Sequence, residues 1–148
     1  MKRMSLPDLS IRQLAPGDEK ILKDLMGQFR PKEEADLLVL QSLLSRPDHV
    51  YLAALLRQKP VGWAIGYILP RFTRNELYLY EIDVAVPIQR QGVATALIGA
   101  LQDLARERDI SEIFVVTEGE NWPAKGLYAG SGGKPSAGPC TMYTWDLE

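Results

Sequence analysis

The stretch from Leu77 to Thr117 limits the possible folds more than any other part of the chain. Leu77-Tyr-Leu-Tyr-Glu-Ile-Asp-Val-Ala-Val reads as a long strand. Gly92 then turns the chain into a helix that runs to about Arg108. Val93, Leu97, Ile98, Leu101, Leu104 and Ala105 fall on one side of that helix, at the spacing of a core-facing stripe. Ile113-Phe-Val-Val-Thr is a short buried strand. Strand, helix, strand in this order is a parallel crossover unit.

The other elements are arranged around that unit. Leu9-Ser-Ile-Arg-Gln-Leu alternates apolar and polar, as an edge strand does. Pro16-Gly17 breaks it, and Asp18 is placed to cap a helix through about Phe29, with Ile21, Leu22, Leu25 and Met26 inward. A second helix is expected from Lys32 to Ser45. Two apolar runs flank Gln58-Lys59-Pro60 and read as a hairpin. A short helix starts at Pro123, and Thr141-Met-Tyr-Thr-Trp-Asp-Leu reads as a final strand. The expected order is β-α-α-β-β-β-α-β-α-β. It is an α/β (α+β) class: a mixed, mostly antiparallel, twisted sheet of six to seven strands with helices on both faces.

With 148 residues, the chain is expected to be one domain, 1–148. No apolar run approaches the ~20 residues of a membrane span, and Met1-Lys-Arg-Met-Ser has no apolar segment after it, so no secretory leader is expected. The single cysteine, Cys140, forms no internal disulfide and suits a reducing, cytoplasmic setting. A net charge of −2 implies no general nucleic-acid surface. No His, Cys and Asp cluster has the spacing of metal ligands.

Pro87-Ile-Gln-Arg-Gln-Gly-Val-Ala-Thr-Ala-Leu-Ile98 leads straight into the long helix, yet the first acid after Gln89 is Asp103. Acidic side chains ordinarily favour the first turn of a helix. The amide N–H groups there have no intrahelical partner and carry the positive end of the dipole. A helix start without carboxylates can hold an anion, most simply a phosphate. Gly92 and Ala94 are small enough to let a ligand approach the backbone.

Gln89-x-x-Gly92-x-Ala94, following Val84-Ala-Val, resembles the acetyl-CoA signature of the Gcn5-related N-acetyltransferase (GNAT) superfamily. The element order resembles that fold over nearly the whole chain. Tyr78-Leu-Tyr-Glu-Ile-Asp-Val, Arg90-Gln-Gly-Val-Ala-Thr-Ala-Leu-Ile, Pro123-Ala-Lys-Gly-Leu-Tyr128 and Tyr67-Ile-Leu-Pro-Arg-Phe72 are similar to aminoglycoside 3-N-acetyltransferases. The resemblance implies an acyltransferase that moves an acetyl group from acetyl-CoA (CoA) to a primary amine of a cationic small molecule. An aminoglycoside is the leading acceptor, and antibiotic resistance the leading role. A polyamine, another small amine or a protein amine is the alternative; a non-catalytic acyl-CoA sensor is the alternative of another class. Family habit implies a homodimer through the C-terminal strands or the sheet edge.

The resemblance also places the site. The diphosphate would meet the N–H groups of Gln91, Gly92, Val93, Ala94 and Thr95. The pantetheine arm would pair with the strand backbone at Asp83, Val84, Ala85 and Val86, opened by a bulge near Val84–Ala85, with Asn121 beyond the second strand. Asn121 reads equally well as a helix N-cap. The Val84 N–H would serve the oxyanion, and Tyr128 would be both the acid for the leaving sulfur and a cofactor contact. Glu81 falls at the family's active-site carboxylate, whereas Asp83 replaces a small residue. Period two puts Leu77, Leu79, Glu81 and Asp83 on one face. Two neighbouring acids raise one pKa, which suits a base, unless Arg12, Arg57 or Arg71 neutralises one of them. Glu118, Glu120 and Trp122 complete the expected substrate-binding set; Asn121-Trp122 stands where related enzymes carry adjacent acids.

Overall fold

The computed structural model describes residues 6–148. The N-terminal segment 1–5, read above as carrying no leader, lies outside them. The elements in chain order are β1 (Leu9–Gln13), α1 (Glu19–Phe29), α2 (Leu37–Leu44), β2 (His49–Leu56), β3 (Lys59–Pro70), β4 (Asn75–Val84), α3 (Val93–Glu107), β5 (Ile110–Val115) and α4 (Trp122–Gly130). A single 3-10 turn, Val86–Ile88, leads from β4 toward α3.

The strands form one sheet in the order β1-β2-β3-β4-β5. The first three ladders are antiparallel, and β4 and β5 pair in parallel. The sheet therefore has five strands where six to seven were expected. The missing one is the final strand: residues 141–147 have no ladder partner, and Tyr143, Trp145 and Leu147 stand in solvent. β-propensity alone does not make a strand, and the segment does not pair with the free edge of β5.

Apolar clusters cover both faces. On one, Leu97, Leu101 and Val93 of α3 pack against Leu77, Leu79, Ala64 and Val50. On the other, Leu22 and Leu25 of α1 and Leu40 and Leu44 of α2 pack against Tyr51, Trp63 and Ile65. Local signals set the element ends. Arg57 and Gln58, both at positive φ, form the two-residue turn between β2 and β3. Asp36 caps α2 by accepting from the Val39 N–H, so that helix starts five residues later than Lys32. Asp18 does not cap α1; its carboxylate accepts from the Ala15 N–H and from Arg12.

A bulge in β4 does most to position the site. Ile65 faces Glu81 and Gly66 faces Leu79, which leaves Tyr80 as the extra residue. It lies at Tyr80, not near Val84–Ala85. One unpaired residue reverses the alternation, so Glu81 and Asp83 sit on the face opposite Leu77 and Leu79. Their cross-strand partners Ile65 and Trp63 belong to the α1/α2 face. Ile82 and Val84 now turn toward α3.

Candidate active site

The ladder between β4 and β5 ends at Leu79 and Val115. Beyond Leu79, β4 continues beside β3 alone, and a gap opens in the sheet. A cavity of about 490 Å³ occupies it, lined by Ile82, Asp83 and Val84, by the turn and first residues of α3, and by Asn121, Leu127 and Tyr128 of α4. The expected parting of the strands is present; it arises where β5 stops.

One wall of the cavity is the start of α3. Gly92 occupies the N-cap at φ +89°, a conformation that glycine adopts without strain, and Arg90 before it is also left-handed. No acid lies in the first turn. Among the described backbone hydrogen bonds, none starts from the N–H of Gln91, Gly92, Val93, Ala94 or Thr95. Gly92, Val93, Ala94 and Thr95 line the cavity, and Gln91 flanks them, turning its side-chain amide to the Pro87 carbonyl. Unsatisfied donors at a helix start, without a carboxylate to fill them, suit a diphosphate.

The β4 backbone forms the adjoining wall. The Ala85 N–H donates to the Val61 carbonyl at 2.8 Å, so by alternation Asp83 also points its backbone groups at β3. Val84 and Ile82 then point theirs into the gap. The Val84 carbonyl already accepts from the Gln89 side chain at 3.0 Å. An extended amide arm would thus meet Ile82 and Val84. Asp83 and Ala85 are turned away from it, and Val86 is exposed at the 3-10 turn.

The ionisable groups meet at the far end. Tyr128 is half-buried; burial first, then the Asp83 charge, holds its phenol above the ordinary value, so it stays protonated at neutral pH. Asp83 accepts from Trp63 Nε1 at 2.9 Å. Glu81 is paired with Arg30, at the C-terminal end of α1, rather than with Arg12, Arg57 or Arg71. Arg12 pairs with Asp18, and Arg57 with Asp8. Burial raises the Glu81 pKa, Arg30 opposes the rise, and Asp83 adds to it.

Other expected residues fall elsewhere. Asn121 lines the cavity, but its side-chain oxygen accepts from the Ala124 N–H at 3.2 Å and caps α4. Glu118 and Glu120 are exposed and outside the cavity lining. Trp122 is exposed too, with Lys125 Nζ 4.4 Å from its ring centre. Two groups escaped the sequence reading. Arg30 comes from 51 residues before Glu81, with no local motif to announce it. An aromatic row, Tyr67, Tyr80, Tyr78 and Phe114, runs beside the acids with neighbouring ring centres 4.9–5.9 Å apart. Its members looked like separate strand residues because they lie on three strands. Among the described residues, no group of three or more His, Cys, Asp or Glu could hold a metal ion, and no helix is long and apolar enough to cross a membrane.

A parted sheet with free amides on one side and acids on the other defines an acyltransferase that uses a CoA thioester. The profile of the acetyltransferase (GNAT) family matches residues 19–132, and the chain belongs to that family. It is an N-acetyltransferase, and acetyl-CoA is its acyl donor. Among solved structures, it is similar to the aminoglycoside acetyltransferase meta-AAC0020 from an uncultured soil metagenomic sample, crystallised with sisomicin. That pair shares 25% identity at a TM-score of 0.86, over 95% of this chain and 97% of the other. A second soil metagenomic aminoglycoside acetyltransferase, HMB0005, shares 28% identity at a TM-score of 0.78, over 93% and 99%. AAC(6')-Iy with a CoA-linked acetylneamine analogue shares the fold at 20% identity and a TM-score of 0.80, over 94% and 99%. No curated protein matches the chain in sequence.

Proposed function

We propose that this enzyme acetylates a primary amine of a cationic small molecule by direct transfer, with an aminoglycoside as acceptor and its 3-amino group as the acylated position. One observation carries the reading: the free amides of α3 open onto the same cavity as Asp83 and Tyr128. When bound, acetyl-CoA supplies the acetyl group as a thioester. Gly92, Val93, Ala94 and Thr95 hold its diphosphate, with Gln91 beside them. The Val84 N–H faces the gap and donates to the developing oxyanion. Tyr128 keeps its proton for the departing sulfur. Glu81 and Asp83 attract the ammonium and take up its proton. The aromatic row, edge-to-face at Tyr67–Tyr80 and Tyr80–Tyr78 and stacked at Tyr78–Phe114, gives a cationic ring electron-rich ring faces beside the acids. Both metagenomic enzymes bear aminoglycoside names, which supports this acceptor over a polyamine or protein amine.

A homodimer and a reducing, cytoplasmic setting go with this reading. The exposed Tyr143, Trp145 and Leu147 and the unpaired outer edge of β5 support the homodimer; sedimentation of the whole chain tests it. The function is tested by titrating acetyl-CoA into the protein and then following free thiol with a panel of amines. Release with kanamycin- or gentamicin-type compounds but not spermidine is expected, and NMR of the product reads the acylated position. Binding without acceptor-dependent release would instead make the protein an acyl-CoA sensor.

A further inference from the structure

Glu81 and Asp83 share a face of β4 but not a setting. Asp83 lines the cavity and Glu81 does not. Trp63 Nε1 donates to Asp83 Oδ2, which fixes the carboxylate's orientation. Arg30 donates to Glu81 Oε1. Glu81 Oε2 is buried and has no donor among the described residues. An orphaned buried carboxylate oxygen is costly unless a proton comes to it. The residue that can bring one is Asp83, two residues along on the same face of β4, opposite Trp63 where Glu81 is opposite Ile65.

We propose that Asp83 and Glu81 form a directed proton relay: Asp83 takes the proton of the acceptor ammonium and shares it with Glu81 Oε2, while Arg30 and Trp63 act as positioning residues. The proposal rests on the acetyltransferase reading and assigns the roles within it. In the relay, one N–H bond of the ammonium breaks and one O–H bond forms on Asp83. The charge of the pair goes from −2 to −1, and the proton leaves to water after turnover. The second amine proton, lost as the amide forms, replaces the one Tyr128 has given to the departing sulfur, so the phenol ends the cycle protonated. Arg30 matters because two neighbouring carboxylates, one of them largely buried, would otherwise hold a proton at rest and could not accept another. The charged and titratable groups facing the pair are Arg30 and Glu33 from the end of α1 and the loop after it, Tyr67 from β3, Tyr80 from β4 and Tyr128 from α4.

The test compares Asp83→Asn, Glu81→Gln, Arg30→Ala and Arg30→Lys with the parent. Thiol release is measured across pH, alongside carboxyl 13C NMR titration of the free protein. Asp83→Asn is expected to lower kcat by about 10² or more, and Glu81→Gln by less, roughly tenfold. Arg30→Ala should move the acid limb of kcat/KM up by about one pH unit, with Arg30→Lys restoring most of it. By NMR, Asp83→Asn should lower the Glu81 midpoint. Full kcat in Asp83→Asn, or an unmoved acid limb in Arg30→Ala, would overturn the relay. An unmoved Glu81 midpoint in Asp83→Asn would do the same. Absence of turnover with every amine would sink the acetyltransfer reading alone, because the NMR titration still judges the pair.

Discussion

An acid placed in the first turn of α3 should stabilise the fold and damage the enzyme at once. Ala94 is the second residue of the helix, lines the cavity and has no acid near it in that turn. Asp at this position complements the helix dipole and should raise stability by roughly 0.5 kcal/mol. The same carboxylate would face the diphosphate. At roughly 6 Å and an effective dielectric of about 40, one pair of unit charges costs about 1.4 kcal/mol. A diphosphate carrying about two charges doubles that to ~3 kcal/mol, or about a hundredfold in Kd. Calorimetry with CoA measures the affinity and a urea melt the stability; Ala94→Asn, which adds bulk without charge, is the control. Raising salt should narrow the gap between the two variants. Unchanged CoA affinity in Ala94→Asp, with the fold intact, would refute the assignment of the diphosphate to this helix.

Gly92→Ala places a Cβ in a left-handed residue and should cost about 1–2 kcal/mol of stability, read in urea, together with a loss of CoA affinity. Tyr128→Phe should slow thiol release by up to about 10² without changing CoA binding; an unchanged kcat would remove the phenol from the chemistry. Glu81→Gln should change stability in a pH-dependent way. The folded Glu81 pKa lies above its unfolded value, so the folded state binds the proton more tightly. Parent stability is therefore lost as pH rises through the window between those two values. The melting temperature of Glu81→Gln relative to the parent should accordingly be higher at pH 7 than at pH 4, and the reverse order would contradict the burial of this carboxyl.

The long helix and its glycine-capped start without acids were legible in the sequence because both are local. A stripe at helical spacing, a glycine and a missing acid all lie within a few residues of one another. The carboxylates were legible as chemistry but not as geometry. Period two holds only while the ladder is regular, and the extra residue at Tyr80 breaks it without any glycine in β4 itself to mark the place. Arg30 and Trp63 were hidden for another reason. They reach Glu81 and Asp83 through the packing of α1 and β3, and pairing between distant segments leaves no pattern in a single chain. The C-terminal segment shows the limit of alternation as a signal: Thr141 to Leu147 reads like a strand, but pairing depends on an edge the sequence does not describe.

The unpaired residue in β4 works as a phase shift. One strand serves two masters: its first half supplies the oily floor beneath α3, and its second half presents acids to the opposite side. Drawing Tyr80 into a regular ladder would leave the composition of the strand untouched, yet it would rotate Ile82 and Val84 outward and drive both carboxylates into the hydrocarbon under α3. Deleting Tyr80 alone should therefore keep both acids on their present face, whereas deleting Ile82 would turn Asp83 over toward α3.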